Sequence, residues 1–143
     1  MFAITTDPIN CENLTKIHTP QSCGAKVSFE GIVRPDKNVN QKVISLLYIG
    51  DEPLCISEGE RIISEAIEKF CLAHAVCVQR IGMVSVHEAA IWIGVWSTHR
   101  DAAFQGCRYI IEEVKKRLLI WKKEFLADGT SQWVRNPATS IHV

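Results

Sequence analysis

The sequence predicts an α+β fold, mainly an antiparallel sheet with two main helices. Three observations predict it. Several short stretches alternate apolar and polar side chains with the period of two that belongs to strands. Two longer stretches repeat their apolar residues at three and four, the spacing of one helix face. The strands come in runs between those helices instead of alternating with them one for one, which argues against a doubly wound parallel sheet.

In chain order, Phe2 to Thr6 alternates in the β manner, and Asn10 to Leu14 begins a short helix that ends near His18-Thr19-Pro20. Gly24 to Arg34 sets Ala25, Val27 and Phe29 against Lys26, Ser28 and Glu30, the pattern of a half-buried strand with Arg34 at its end. Pro35 to Asn40 reads as a polar loop, Val43 to Tyr48 as a returning strand, and Gly50-Asp51-Glu52-Pro53 as a break. From Ile56 onward, Ile62, Ile63, Ala66, Ile67, Phe70 and Cys71 share one helix face, ending near His74. Val76 to Ile81 and Ala89 to Trp96 suggest a central antiparallel hairpin, with residues 82 to 88 an extended connection. Ala103, Phe104, Cys107, Ile110, Ile111, Val114 and Leu118 follow the cleanest helical period in the chain, and Ser97 or Thr98 can cap its start. Leu119 to Phe125 alternates again, with Ile120, Lys122 and Glu124 on one face and Trp121, Lys123 and Phe125 on the other. The turn Ala127-Asp128-Gly129-Thr130 then leads to a last strand at Gln132-Trp133-Val134.

A chain of 143 residues that is 47% hydrophobic can fill one core and is short for two ordinary domains, so residues 1–143 are expected to form a single domain. Lys plus Arg and Asp plus Glu both number 16, so no bulk charge draws the chain to nucleic acid. The longest apolar run, Ala89 to Trp96, falls well short of the ~20 residues of a membrane helix and reads as a buried strand. The first residues lack the charged and apolar regions of a secretory signal, so a cytoplasmic location is expected. The six cysteines are scattered and fit reduced thiols. Cys71, His74 and Cys77 are three apart, but a structural zinc site needs four ligands and no second pair exists. Buried thiols plus a helix-end histidine are the plainer reading.

No GxGxxG, P-loop, GxSxG, HExxH or EF-hand pattern occurs. The informative residues are basic. His99 and Arg100 stand at the start of the strong helix, where free N–H groups and the dipole favour a phosphate or carboxylate. Lys115 lies near the far end, about 20 Å away at 1.5 Å per residue. Lys122 follows in the next strand, where apolar neighbours can lower a lysine's pKa and suit it to acid–base or nucleophilic work. Each has a bland counterpart: Lys115-Lys116-Arg117 complements a helix C-terminus, His99-Arg100 is a surface helix start, and Arg34 a solvated strand end. Trp92, Trp96, Trp121 and Trp133 read as core.

Five stretches in order resemble the large, catalytic subunit of molybdopterin synthase: Gly24 to Arg34, Arg80-Ile81-Gly82, His99-Arg100-Asp101-Ala102-Ala103-Phe104, Ile120-Trp121-Lys122-Lys123-Glu124 and Trp133-Val134. The HRxxAF element followed by a helix, a lysine and IWKKE is the specific part. The resemblance implies an α/β hammerhead-type fold and a homodimer at the centre of a heterotetramer. It also implies a ubiquitin-like small subunit at each end, whose C-terminal Gly-Gly thiocarboxylate donates sulfur. The reaction it implies puts two sulfurs into cyclic pyranopterin monophosphate, forming the dithiolene of molybdopterin, and it calls for no cofactor or metal. Carried over, its catalytic lysines fall on Lys115 and Lys122, and its substrate-binding residues on Arg34, His99 and Arg100. The long separation along the helix resolves if the pocket is shared across the dimer, or if Lys115 and Arg100 serve the tail and the phosphate separately. A surplus of large apolar residues from Ile91 to Trp96 adds to the expectation of a dimer.

This chain departs from the family pattern at Ile49, at Cys55-Ile56-Ser57-Glu58, at Gln79 where histidine is frequent, at His87 and at Leu119. The alternatives are a non-catalytic binding or assembly paralogue on the same fold and a generic anion-binding domain.

Overall fold

The computed structural model describes residues 1–38 and 41–134. Its first sheet has the order β1 (Phe2–Thr5), β5 (His74–Arg80), β7 (Ala89–Ser97), β2 (Ala25–Ile32). β1 runs parallel to β5, and the other pairs are antiparallel. β5 and β7 are near-continuous apolar runs because both of their faces are covered. On one face, Ala75, Cys77, Ile91, Ile93 and Val95 meet α2 (Glu52–Phe70) and α3 (Arg100–Arg117), which pack side by side. On the other, Val76, Val78, Trp92 and Trp96 are covered by α1 (Cys11–Thr15) and the chain around it. Gly94 lies between the two tryptophans on their face, and a Cβ there would stand 2.2 Å from the Trp92 ring.

The second sheet pairs β3 (Asp36–Asn38), β4 (Gln41–Gly50), β8 (Ile120–Leu126) and β9 (Ser131–Val134), with β6 (Gly82–Ser85) also on β4. The register of β4 and β8 sets Tyr48 opposite Lys122 and Ile49 opposite Trp121. Tyr48 and Lys122 therefore point toward the helix layer, and the other pair points away.

The α+β class, the two main helices and the antiparallel pairing of β5 with β7 agree with the sequence reading. The differences have local causes. The loop expected from Pro35 contains β3 over its described part; Val39 and Asn40 lie outside the described residues. Gly50 to Pro53 is the break between β4 and α2, but α2 starts inside it, ahead of Ile56: Asp51 caps the helix by accepting from the Leu54 N–H at 3.0 Å, and Pro53 sits in the first turn, where its missing donor costs nothing. α2 stops at Phe70 because Cys71 adopts a left-handed conformation with φ 53°, so His74 opens β5 and is not a helix end. Neither Ser97 nor Thr98 caps α3. His99 is the N-cap residue and makes no side-chain cap bond. Residues 82 to 85 of the expected connection are β6. Trp121 and Trp133 are exposed, not core. Ile91 to Trp96 is buried by its own chain on both faces, so it offers no surface to a second copy.

Candidate active site

The C-terminal half of α3 lies over β2 and β7, and the end of β5 and the start of β8 come in at the same place. These elements and β4 enclose an open cavity of about 140 Å³. Phe29, Gly31, Ile32, Ala90, Ile91, Ile111, Val114, Leu118 and Ile120 supply its apolar walls. Its polar side chains are Lys115, Lys122, Tyr48 and Gln79.

Each polar group has a distinct character. Lys115 is on the exposed side of α3 and reaches the cavity from its rim. Lys122 is half-buried, with Nζ 5.8 Å from the centroid of the Tyr48 ring. Burial, and then the positive charge of Lys115, pushes the Lys122 ammonium down from 10.5 to about 8. Roughly one such lysine in ten is then neutral at pH 7. Burial also pushes the Tyr48 phenol up to about 12, so it remains protonated. Gln79 is 5% exposed, and its Nε2 donates to the Arg80 carbonyl at 3.0 Å and the Ala90 carbonyl at 3.1 Å.

The end of α3 that carries Lys115 is clamped to α2. Arg117 reaches Glu58 at 2.6 Å, Glu65 at 2.7 Å and Glu113 at 3.3 Å, while the Tyr109 hydroxyl donates to Glu65 at 2.6 Å. These bonds, those to Arg117 foremost, hold the Glu65 carboxyl down to about 2. The last turn of α3 thus has a fixed place from which Leu118 and Leu119 lead into β8.

The structure brings together two of the five residues singled out in the sequence. Lys115 and Lys122 line one cavity. Arg34 follows β2 at the end that lines the cavity, but it is exposed and not part of the wall. His99 and Arg100 are exposed at the opposite end of α3, about 20 Å away along the helix. Tyr48 is not among the residues that the sequence points to, and Gln79 stands out there only as a departure from the family pattern. The signal for Gln79 is a lone amide in an otherwise apolar strand; Tyr48 becomes visible only once the β4–β8 register is known. Cys71 is exposed, His74 stacks on Trp96, and Cys77 faces the helices, so these three do not converge. Among the described residues no three His, Cys, Asp or Glu are grouped to hold a metal ion.

Residues 4–117 match the model of the MoaE protein family. The chain belongs to the MoaE family. Members similar to it include the molybdopterin synthase catalytic subunit of Bacillus subtilis, 39% identical over 93% of this chain and 83% of the relative. The corresponding subunit of Bos taurus is 33% identical over 95% of this chain and 71% of the relative. Among solved structures, molybdopterin synthase from Staphylococcus aureus is similar with a TM-score of 0.85 and 32% identity, covering 93% of this chain and 96% of that one. The protein–protein complex of subunits 1 and 2 of the molybdopterin-converting factor from Helicobacter pylori shares the fold, with a TM-score of 0.75 and 20% identity. This MoaE-family chain is thus an enzyme of molybdenum cofactor biosynthesis. None of its described helices is long and apolar enough to cross a membrane.

Proposed function

We propose that this chain is the catalytic subunit of a molybdopterin synthase and that the cavity of Lys115 and Lys122 is where sulfur transfer takes place. The observation that carries the proposal is the convergence of two lysines, one of them half-buried with a lowered pKa, in a small apolar-walled cavity. Two cations in such a cavity suit an anionic end of a thin chain, and the C-terminal thiocarboxylate of a ubiquitin-like small subunit has that form. Lys115 offsets the negative charge from the rim. Lys122, present in both protonation states near pH 8, takes and returns protons as the sulfur bonds to cyclic pyranopterin monophosphate.

Arg34, His99 and Arg100 supply the phosphate site. Guanidinium forks suit a phosphate, and His99 and Arg100 stand at a helix N-terminus. Because they lie at the far end of α3, a site using both ends requires a second copy that brings its His99 and Arg100 to this cavity. β2 supports that arrangement: it is an edge of the first sheet, and Phe29, Ile32 and Phe104 stand exposed along it and on the adjoining α3.

The test mixes the purified chain with thiocarboxylated small subunit and precursor and measures molybdopterin. Lys115→Ala and Lys122→Ala should each lower product formation at least ~100-fold with the fold retained. Full turnover by either variant removes that lysine's role, and no product from the parent chain would favour a non-catalytic paralogue.

A further inference from the structure

Gln79 is a buried amide with one hand tied. Both hydrogen bonds of its Nε2 go to backbone carbonyls, of Arg80 and Ala90. Turning the amide over would set its oxygen against those two carbonyls, so the orientation is fixed. The oxygen has no partner among the described residues, and the side chain lines the cavity beside the two lysines. A protonated lysine only donates, whereas a neutral Lys122 and the protonated Tyr48 hydroxyl can do either. Among the described residues that line the cavity, the Gln79 oxygen is therefore the one side-chain atom that can only accept. A ligand that fills this cavity well has a negative end for the lysines and an N–H donor a short distance behind it.

We propose that Gln79 reads the incoming tail: its fixed amide oxygen accepts a hydrogen bond from the last peptide N–H of the small subunit's C-terminus, one residue behind the anionic end. This rests on the tail-insertion reading above. A cavity of about 140 Å³ is well under the ~300 Å³ at which small-molecule sites begin, which favours an extended tail of small residues over the whole pterin. An N–H carried among Gly31, Ala90 and Ile91 loses its water and needs an acceptor there. A small anion without an N–H, such as bisulfide, satisfies the lysines but leaves the amide oxygen unpaired. Gln79 is a specificity-determining residue on this view, since sites built around a hydrogen bond reject ligands that cannot make it.

The test uses two synthetic ligands: a short peptide ending in a Gly-Gly carboxylate, and its twin in which the last amide N–H is replaced by an ester oxygen. Each is titrated calorimetrically into the full chain, parent and Gln79→Leu. The parent should bind the ester about 5–10-fold more weakly than the amide. Gln79→Leu should bind the two alike. Equal binding of both ligands by the parent overturns the inference, as does an undiminished preference in Gln79→Leu. Should that variant fail to fold, having lost the bonds to Arg80 and Ala90, the two ligands on the parent chain decide alone. If neither ligand binds the parent, the tail-insertion reading falls and the inference with it.

Discussion

Replacing Lys122 by methionine should stabilise the protein at neutral pH while removing its activity. The folded state lowers this lysine from 10.5 to about 8, a difference worth at most about 3.4 kcal/mol at 1.36 kcal/mol per unit. Lys122 keeps partial contact with water, and its approach to the Tyr48 ring returns roughly 0.5–1 kcal/mol. The expected gain for Lys122→Met at pH 7 is therefore about 1–2 kcal/mol. Its pH dependence has a definite sign. Below pH 8 both folded and unfolded chains hold the proton, and the cost of burying the charge is full and constant. Between about pH 8 and 10.5 the unfolded chain holds a proton that the folded chain has released, so the parent gains stability as pH rises and the variant does not. Urea unfolding of parent and variant at pH 7 and again near pH 10 measures the difference directly. A gain at pH 7 that shrinks toward zero at the higher pH is expected. A variant less stable than the parent at pH 7, or a difference independent of pH, would refute the assignment of a buried, electrostatically strained lysine.

Lys115→Ala should raise the Lys122 pKa, because it removes the positive charge that helps to lower it; carbon-13 NMR of the lysine side chains against pH reads the shift, and no movement would separate the two residues electrostatically. Arg117→Ala should cost about 2 kcal/mol, since it leaves Glu58, Glu65 and Glu113 facing one another without their cation; thermal unfolding should show part of the loss recovered in high salt. Gly94→Ala should cost about 3 kcal/mol, or roughly 10 °C in Tm, because its Cβ lands inside the Trp92 ring contact, and an unchanged Tm would contradict that packing.

Where periodicity was strong, the sequence and the fold agree. The 3.6 spacing from Ala103 to Leu118 is α3, and the apolar run from Ala89 is β7, because burial on one or two faces writes itself into the pattern. β3 and β6 are short edge pieces made by pairing with β4, and nothing local marks them. The end of α2 depends on a left-handed cysteine, a conformation its residue type does not announce. Composition and spacing reached Lys122 as a lysine among apolar residues, and the family resemblance drew Lys115 into the same role. Their meeting in one cavity was not legible, because it depends on the return of β8 alongside β4. The separation of His99 and Arg100 from them, by contrast, follows from helix rise alone.

The pairing of β4 with β8 also decides when the site comes into being. Tyr48 and Lys122 stand opposite each other although more than 70 positions separate them in the chain, with α2, β5, β6, β7 and α3 between. Contacts of that range carry a loop-closure cost and belong to the slow part of folding. A one-residue slip there would turn Lys122 away and bring a neighbour inward, Trp121 in one direction and Lys123 in the other. The helices and the first sheet can be in place while the cavity still lacks its reactive lysine. Recovery of activity during refolding is then a clock for the docking of β8 on β4, running behind any signal that reports helix formation.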